Sequence, residues 1–101
     1  MTRDMEDPSR RGDRIANEEA SSRALRILRR ADPQRFQGFS VVHVAFSRRG
    51  ELGPEARWLV LCDPASRGLQ GSVVVELRAS DGSLIRVRDA TVKGVRPQFG
   101  L

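Results

Sequence analysis

The 101-residue sequence has few of the side chains on which most enzymes depend. It contains one cysteine, Cys62, and one histidine, His43, so it predicts no disulfide within these residues, no metal site and no cofactor. Both residues stand in strongly apolar runs, where we expect a buried structural cysteine and a core histidine. A nucleophilic site built from Cys62, His43 and Asp63 is therefore disfavoured. The sequence predicts a protein that is not an enzyme.

Long apolar runs and aromatic residues are also scarce. No stretch approaches the roughly 20 apolar residues that span a bilayer, and the first residues, MTRDMEDPSRRGDR, lack the apolar core of a secretory signal. These absences predict a cytoplasmic protein. The chain holds four phenylalanines, one tryptophan and no tyrosine. Because single-stranded nucleic acids are commonly held by stacking on aromatic rings, only Phe36 and Phe99, outside the predicted core, are candidates for that contact.

Lysine is nearly absent, although the chain is basic. Of 18 basic residues only Lys93 is a lysine, and the formal net charge is +5. Arginine forks match the geometry of carboxylates and phosphates, which a lysine ammonium does not. The charge is uneven: residues 1–22 carry −2, residues 23–35 carry +4 and the remainder carries +3. The positive charge therefore belongs to the predicted helix and sheet and not to the N-terminal tail.

The clearest structural signal is a β-hairpin between Gly71 and Asp89. Two β-rich runs, Val73–Ala79 and Leu84–Arg88, flank the turn dipeptide Asp81-Gly82. A three-residue loop, Ser80-Asp81-Gly82, with Gly82 in the left-handed conformation, separates apolar from charged side chains. It sets Val75 opposite Val87, Glu76 opposite Arg86 and Leu77 opposite Ile85. One face of the hairpin is then apolar, and the other carries Glu76, Arg78, Arg86 and Arg88, with Val74 and Leu84 among them.

One amphipathic helix is predicted over residues 14–31, with Asp13 as its N-cap and Asp32-Pro33 as its end. At about 100° per residue its apolar residues collect on one side, which we expect to lie on the apolar face of the hairpin. These residues are Ala20, Ala24, Leu25, Ile27, Leu28 and Ala31.

Further strands complete the predicted fold. Phe39–Phe46 and Arg57–Cys62 are near-continuous apolar runs that predict strands buried on both faces, and Thr91–Val95 is a candidate fifth strand. Residues 34–38 form a connector and residues 48–55 an exposed loop. The fold class is α+β: an N-terminal amphipathic helix packed on a four- to five-stranded, mainly antiparallel sheet or small barrel. Residues 1–12 are predicted to be a disordered tail and residues 13–101 a single small domain.

Two short patterns resemble the paired motifs with which PilZ domains bind cyclic di-GMP. They are Arg26-Ile-Leu-Arg-Arg30 and Asp89-Ala-Thr91-Val-Lys-Gly94, in which Thr91 stands where that family has serine. The resemblance implies that the arginines would hold the phosphates and guanine edges, and that the second turn would hold the ribose-phosphate. Cyclic-dinucleotide binding is a minor alternative on this basis.

The main functional hypothesis is a small binding protein of accessory, regulatory or inhibitor type that acts through a protein partner. The alternative is a nucleic-acid-binding module that uses the arginine-rich sheet face. Nucleic-acid binding needs a continuous cationic face, whereas a protein site needs an apolar centre with a charged rim. A homodimer through an exposed sheet edge is also compatible with the pattern. The candidate partner-binding residues are Arg78, Arg86, Arg88, Lys93, Arg96, Arg48 and Arg49.

Overall fold

A computed structural model describes residues 14–65 and 71–90 of the chain. The predicted α+β fold is confirmed: within these ranges four strands form an open antiparallel sheet in which each strand pairs with the next along the chain, and one helix packs on the sheet. The sheet is not closed into a barrel. The predicted tail at residues 1–12 and the candidate strand Thr91–Val95 lie outside the described residues. The elements are α1 (Asn17–Ala31), α2 (Pro33–Phe36), β1 (Ser40–Ser47), β2 (Arg57–Asp63), β3 (Val73–Arg78) and β4 (Leu84–Asp89).

Helix α1 begins at Asn17, three residues later than predicted. Its N-cap is Ala16, which is extended and offers no side-chain cap, so the prediction of Asp13 as N-cap is wrong. The preceding residue is tied to the sheet instead. The backbone N–H of Ile15 donates to the carbonyl of Ala79 at 2.8 Å, and the Trp58 indole N–H donates to the Ile15 carbonyl at 3.1 Å. These bonds hold the chain extended before the first helical turn.

Helix α1 ends at Ala31 as predicted, because Pro33 disfavours helical backbone at Asp32. The predicted connector after it contains a short second helix, α2, which the sequence analysis missed. The Asp32 side chain accepts a hydrogen bond from the Arg35 backbone N–H at 3.2 Å, and Pro33 occupies the first turn. Helix α2 buries Phe36, whose ring packs edge-on against that of Phe39 with 4.8 Å between the ring centres. The expectation of a free Phe36 is therefore wrong.

The main core lies between α1 and one face of the sheet. Helix α1 packs against β1, β2 and β3, and its buried residues Ala20, Ala24 and Leu28 meet the β3 side chains that were predicted to be apolar. Strand β4 differs: Leu84 and Val87 remain 45% and 41% exposed. The helix thus covers the β3 half of the hairpin's apolar face but leaves part of the β4 half open. The β3 residues in this core are Val73, Val75 and Leu77.

Strand β2 is buried along almost its whole length, as predicted, because it is an inner strand of the sheet. Strand β1 is an edge strand, and the prediction that it is buried on both faces is wrong. Val42 is the extra residue of a bulge in the β1–β2 register and is 42% exposed. His43 is exposed too, so its expected place in the core is also wrong. An apolar run alone does not distinguish an edge strand from an inner one.

The hairpin register is confirmed over most of its length. Val75 pairs with Val87 and Glu76 with Arg86, but the register shifts after Glu76. Leu77 therefore pairs with Leu84 and not with Ile85, which corrects the predicted pairing and places Leu84 on the face of Leu77. Gly82 is left-handed, with φ of 77°. Its N–H donates to the Arg78 carbonyl at 2.8 Å, so the loop includes Ala79 and is longer than the three residues predicted.

No helix within the described ranges is long and apolar enough to cross a membrane.

Candidate functional site

A buried carboxylate organises the sheet face that points away from α1. Glu76 is completely buried, and its Oε1 accepts from Nη1 of Arg57 at 2.8 Å. Its Oε2 accepts from Nε of Arg86 at 3.0 Å and also from Nε of Arg88. We call these four residues the Glu76 cluster. The strand register produces it, because Glu76 lies beside Arg86 on β4 and one diagonal step from Arg57 on β2 and Arg88 on β4.

The cluster sets three guanidinium groups against one carboxylate and so carries excess positive charge. The side chains of Arg57 and Arg88 are only 6% and 17% exposed, whereas that of Arg86 is 55% exposed. Burial alone would raise the pKa of Glu76, but hydrogen bonds from Arg57, Arg88 and Arg86 outweigh it and hold this pKa below its ordinary value. Arg86 is therefore the member of the cluster whose side chain is mainly exposed to solvent.

The lowered pKa of Glu76 predicts a loss of stability in acid. The ionised carboxylate favours the folded state, so its contribution is complete above the ordinary pKa of 4.5 and is lost as pH falls through the lower folded value. We expect urea unfolding from about pH 6 to about pH 3 to show the free-energy difference between the native protein and Glu76→Gln shrinking as pH falls. A free-energy difference between the two proteins that does not change with pH would contradict the lowered pKa of Glu76.

A second ion pair borders the cluster. Nε of Arg78 lies 2.8 Å from both carboxylate oxygens of Glu55, and Nη1 of Arg78 donates to Oγ of Ser83 at 2.8 Å. Glu55 raises the pKa of Arg78 further above its ordinary value. The two side chains are 41% and 39% exposed, and with Arg49 they line a shallow hollow of about 250 Å³. Acidic groups thus alternate with basic ones on this face.

The structure brings together only part of the predicted partner-binding set. Arg86 and Arg88 meet in the Glu76 cluster, and Arg78 pairs with Glu55. Arg48 and Arg49 are exposed in the loop between β1 and β2. The two remaining members, Lys93 and Arg96, lie outside the described residues.

Sequence reasoning missed two charged residues of this face, Arg57 and Glu55. A signal for Arg57 was present: it opens a strand that is otherwise apolar, and Glu76 interrupts the apolar run of β3. Because an unpaired buried charge is costly, two isolated charges in neighbouring buried strands indicate a pair. No comparable signal marks Glu55, which stands in a loop.

The strand that carries the exposed arginine of the cluster also carries exposed apolar residues. We define the β4 surface as Leu84, Ile85, Arg86 and Val87. Leu84 and Val87 are two of the three large apolar residues that are exposed in the described part of the chain, while Ile85 is half-buried. The side chain of Arg86 follows on the opposite face of the same strand. The β4 surface therefore presents exposed apolar side chains on the α1 face of this strand and an exposed guanidinium on the other face.

Cys62 and His43 do not form a nucleophile–base pair. Cys62 pairs with Val41 and is buried in the core beneath α1, as expected of a structural cysteine. His43 pairs with Leu61, whose side chain packs in the cluster on the other side of the sheet. Burial and the neighbouring Asp63 raise the pKa of the Cys62 thiol to about 12, and only Arg29 acts against them. Within the described ranges, no three histidine, cysteine or acidic side chains group together as metal ligands would.

The buried thiol should react slowly with Ellman's reagent in the folded protein. A pKa of about 12 leaves a thiolate fraction near pH 8 that is on the order of a thousandfold below that of an ordinary cysteine. We expect labelling of Cys62 to be at least about 100-fold slower in buffer than in denaturing urea. Equal rates in the two conditions would show that the thiol is accessible.

The arginines of the PilZ-like pattern lie on α1, whose sheet-facing side is occupied by the core. Arg26 and Arg30 are exposed and, with Arg29, line an open hollow of about 470 Å³. Arg29 is partly engaged, since its Nη2 donates to the Phe39 carbonyl at 3.1 Å. Of the second motif, Asp89 and Ala90 end β4 or follow it, and residues 91–94 lie outside the described residues. Cyclic-dinucleotide binding stays a prediction.

Comparisons of the chain with models of protein families, with curated proteins and with solved structures find no match.

Proposed function

We propose that this chain is a small, non-enzymatic binding protein that acts through protein–protein contact, and that the β4 surface is its binding site. The observation that carries the proposal is that Leu84, Val87 and Arg86, all exposed, lie on one strand. Protein interfaces combine a desolvated apolar centre with a polar rim, and arginine is enriched among the residues that dominate their affinity. The β4 surface has this composition on a strand that is paired with β3.

Charge indicates the chemistry of the partner. Only Nε of Arg86 engages Glu76 in the contacts described, whereas a guanidinium has five N–H donors. The salt bridge thus holds Arg86 in position while more than half of its side chain faces solvent. With a net charge of +5 on the chain, the surface is suited to a protein with acidic side chains around an apolar contact.

Nucleic acid ranks second as a partner. Arg86 is exposed and Arg78 is partly exposed, but Glu55 and Glu76 interrupt the cationic face that a phosphate backbone would follow. The aromatic rings are also poorly placed for stacking. The guanidinium of Arg14 lies 4.2 Å from the centre of the Phe46 ring, and that of Arg35 lies 4.6 Å from the centre of the Phe36 ring. None of the aromatic side chains in the described ranges is exposed. These observations favour the protein partner.

A photo-crosslinking experiment tests the proposal with a matched control. Benzoylphenylalanine is placed at Val87 or at Val42, the same residue type with nearly the same exposure at the other edge of the sheet. In cells that express the protein we expect a discrete adduct from position 87 that protease removes and nuclease does not, and that weakens in Arg86→Ala. Equal adducts from positions 87 and 42 would refute the site. A nuclease-sensitive adduct would transfer the assignment to nucleic acid.

Binding to labelled oligonucleotides gives an independent result. We expect no anisotropy change that depends steeply on salt between about 50 and about 200 mM, because Glu55 and Glu76 pair with the arginines of the sheet face in the described ranges. Affinity for single- or double-stranded oligonucleotides that falls steeply with salt, and falls again in the Arg86→Ala/Arg88→Ala double variant, would contradict the preference for a protein partner.

A further inference from the structure

We propose that the β4 surface takes up its partner by β-strand addition: an extended segment with alternating acidic and apolar residues pairs with the outer edge of β4. This inference rests on the proposed function and specifies how the partner binds and what its sequence must look like. Three observations carry it, namely the position of β4, the direction of its backbone groups and the alternation of its side chains.

Strand β4 is the last strand in the order β1-β2-β3-β4, so only one of its edges pairs within the described sheet. The backbone N–H of Ala90 donates to the Ser72 carbonyl of the neighbouring chain segment at 3.0 Å. Backbone groups in an antiparallel ladder point alternately to either side, so Arg86 and Arg88 share the direction of Ala90 and bond to β3. Val87, which lies between Arg86 and Arg88 in the regular part of the ladder, consequently directs its N–H and C=O groups away from β3. An added strand uses backbone groups placed in this way.

The side chains of β4 determine which residue types a partner strand needs. Val87 lies on the α1 side of the sheet opposite Val75, and Arg86 lies on the other side opposite Glu76. On the edge of β4 that pairs with β3, Val87 therefore lies opposite an apolar residue and Arg86 lies opposite a carboxylate. A partner strand on the outer edge meets the same alternation, with Val87 41% exposed and the Arg86 side chain 55% exposed. Alternating apolar and acidic residues satisfy both faces.

A second copy of the chain is a poorer occupant of this edge. In the two symmetric antiparallel registers that overlap β4 most fully, Arg86 lies opposite either Arg86 or Arg88 of the other copy. Like charges directly opposite one another destabilise a strand pair. An acidic segment places opposite charges at the same positions, so charge complementarity selects a different protein as the partner.

The probe for the test is a short fluorescein-labelled peptide of alternating valine and glutamate, blocked at both ends, with binding followed by anisotropy. Two matched peptides serve as controls: one replaces every glutamate by lysine, and one carries N-methyl groups on the backbone nitrogens along one edge. We expect the acidic peptide to bind at least about tenfold more tightly than the lysine peptide, and N-methylation to abolish binding. The N-methyl control needs no change to the protein and so is independent of protein folding.

Two protein variants separate backbone from side-chain recognition. Val87→Pro removes the outward N–H while leaving the β3–β4 hydrogen bonds intact, since proline is tolerated at a strand edge whose N–H faces away from the sheet. We expect it to weaken peptide binding at least about tenfold, with a circular dichroism spectrum like that of the native protein. Arg86→Ala should lower the preference for the acidic over the lysine peptide toward unity.

The remaining outcomes overturn the inference in distinguishable ways. If Val87→Pro and the N-methylated peptide both bind normally while Arg86→Ala does not, the surface recognises side chains only; strand addition is then wrong and the proposed function stands. If the acidic peptide shows no advantage over the lysine peptide, the assigned partner chemistry is wrong. If sedimentation shows a dimer that Val87→Pro converts to a monomer, the occupant is a second copy. The proposed function itself fails only if position 87 also gives no specific protein crosslink.

Discussion

Replacing Glu76 by alanine is expected to lower the free energy of unfolding by about 3–5 kcal/mol, because it leaves buried positive charge without its partner. Arg57 is only 5% exposed and Arg88 is largely covered, so neither guanidinium can recover its hydration fully when the carboxylate is gone. Urea denaturation near neutral pH measures the loss. A decrease below about 1 kcal/mol would show that Glu76 is not the partner on which these arginines depend.

Glu55→Ala is the matched control for this prediction. It removes the same side-chain type from another arginine pair, but Glu55 and Arg78 are both about 40% exposed. Solvent replaces the lost interaction there, and exposed pairs contribute little to stability. The effect of Glu55→Ala should therefore be several times smaller than that of Glu76→Ala. Equal effects would mean that burial does not set the cost.

A double variant separates the contribution of the Arg57–Glu76 ion pair from the cost of burying an arginine without its carboxylate. Arg57→Met/Glu76→Leu replaces the most buried ion pair by apolar side chains of similar size. Such replacements are often neutral or stabilising, whereas removing one partner is costly. We expect the double variant to be more stable than Glu76→Ala by about 1–3 kcal/mol, the remainder reflecting Arg88 and Arg86. Additive losses in a double-mutant cycle would contradict direct coupling.

Gly82→Ala is expected to cost about 2 kcal/mol, the second-largest effect on stability. Gly82 has φ of 77°, a conformation that a residue with a Cβ adopts only at a cost. A Cβ at this position would also lie 2.6 Å from Cδ of Arg23 and 3.1 Å from Cδ1 of Ile15. The hairpin turn therefore lies directly beneath the start of α1, and the substitution disturbs both elements. Urea or thermal unfolding measures the loss.

Gly50 provides the matched control for the turn. Its φ is 91°, but a Cβ there would meet nothing within 4 Å. Gly50→Ala thus carries the backbone cost without the contact and should lose about 1 kcal/mol. Adding Arg23→Ala to Gly82→Ala should restore part of the difference between the two substitutions. If Gly50→Ala and Gly82→Ala cost the same, the contact between turn and helix does not contribute.

Much of the hairpin and of the helix could be predicted because local chemistry determines them. Asp81-Gly82 marks the turn, and alternation along each strand selects the register that pairs Val75 with Val87 and Glu76 with Arg86. The helix follows from its apolar periodicity and from Pro33 beyond its end. The exact start of α1 could not be predicted, because hydrogen bonds from residues distant in sequence hold Ile15 extended.

The candidate site was predicted less completely, and the reasons are geometric. Arg86 and Arg88 were placed on one face with Glu76, but the β2 residue that completes the cluster, Arg57, lies in another part of the chain. The exposure of Val87 was also beyond sequence reasoning. A hairpin with an apolar face requires a cover, yet its sequence does not state how much of that face a helix reaches.

By itself the sequence determined the main helix, the antiparallel hairpin and the sign of the charge on its outer face. These depend on side-chain periodicity and turn conformation, which act over a few residues. Only the tertiary structure decided that β1 and β4 are the outer strands of the described sheet, that Arg57 joins Glu76, and that Leu84 and Val87 stay exposed. The physical reason is that strand order and helix placement depend on how distant segments share one core, and several arrangements satisfy the same local pattern.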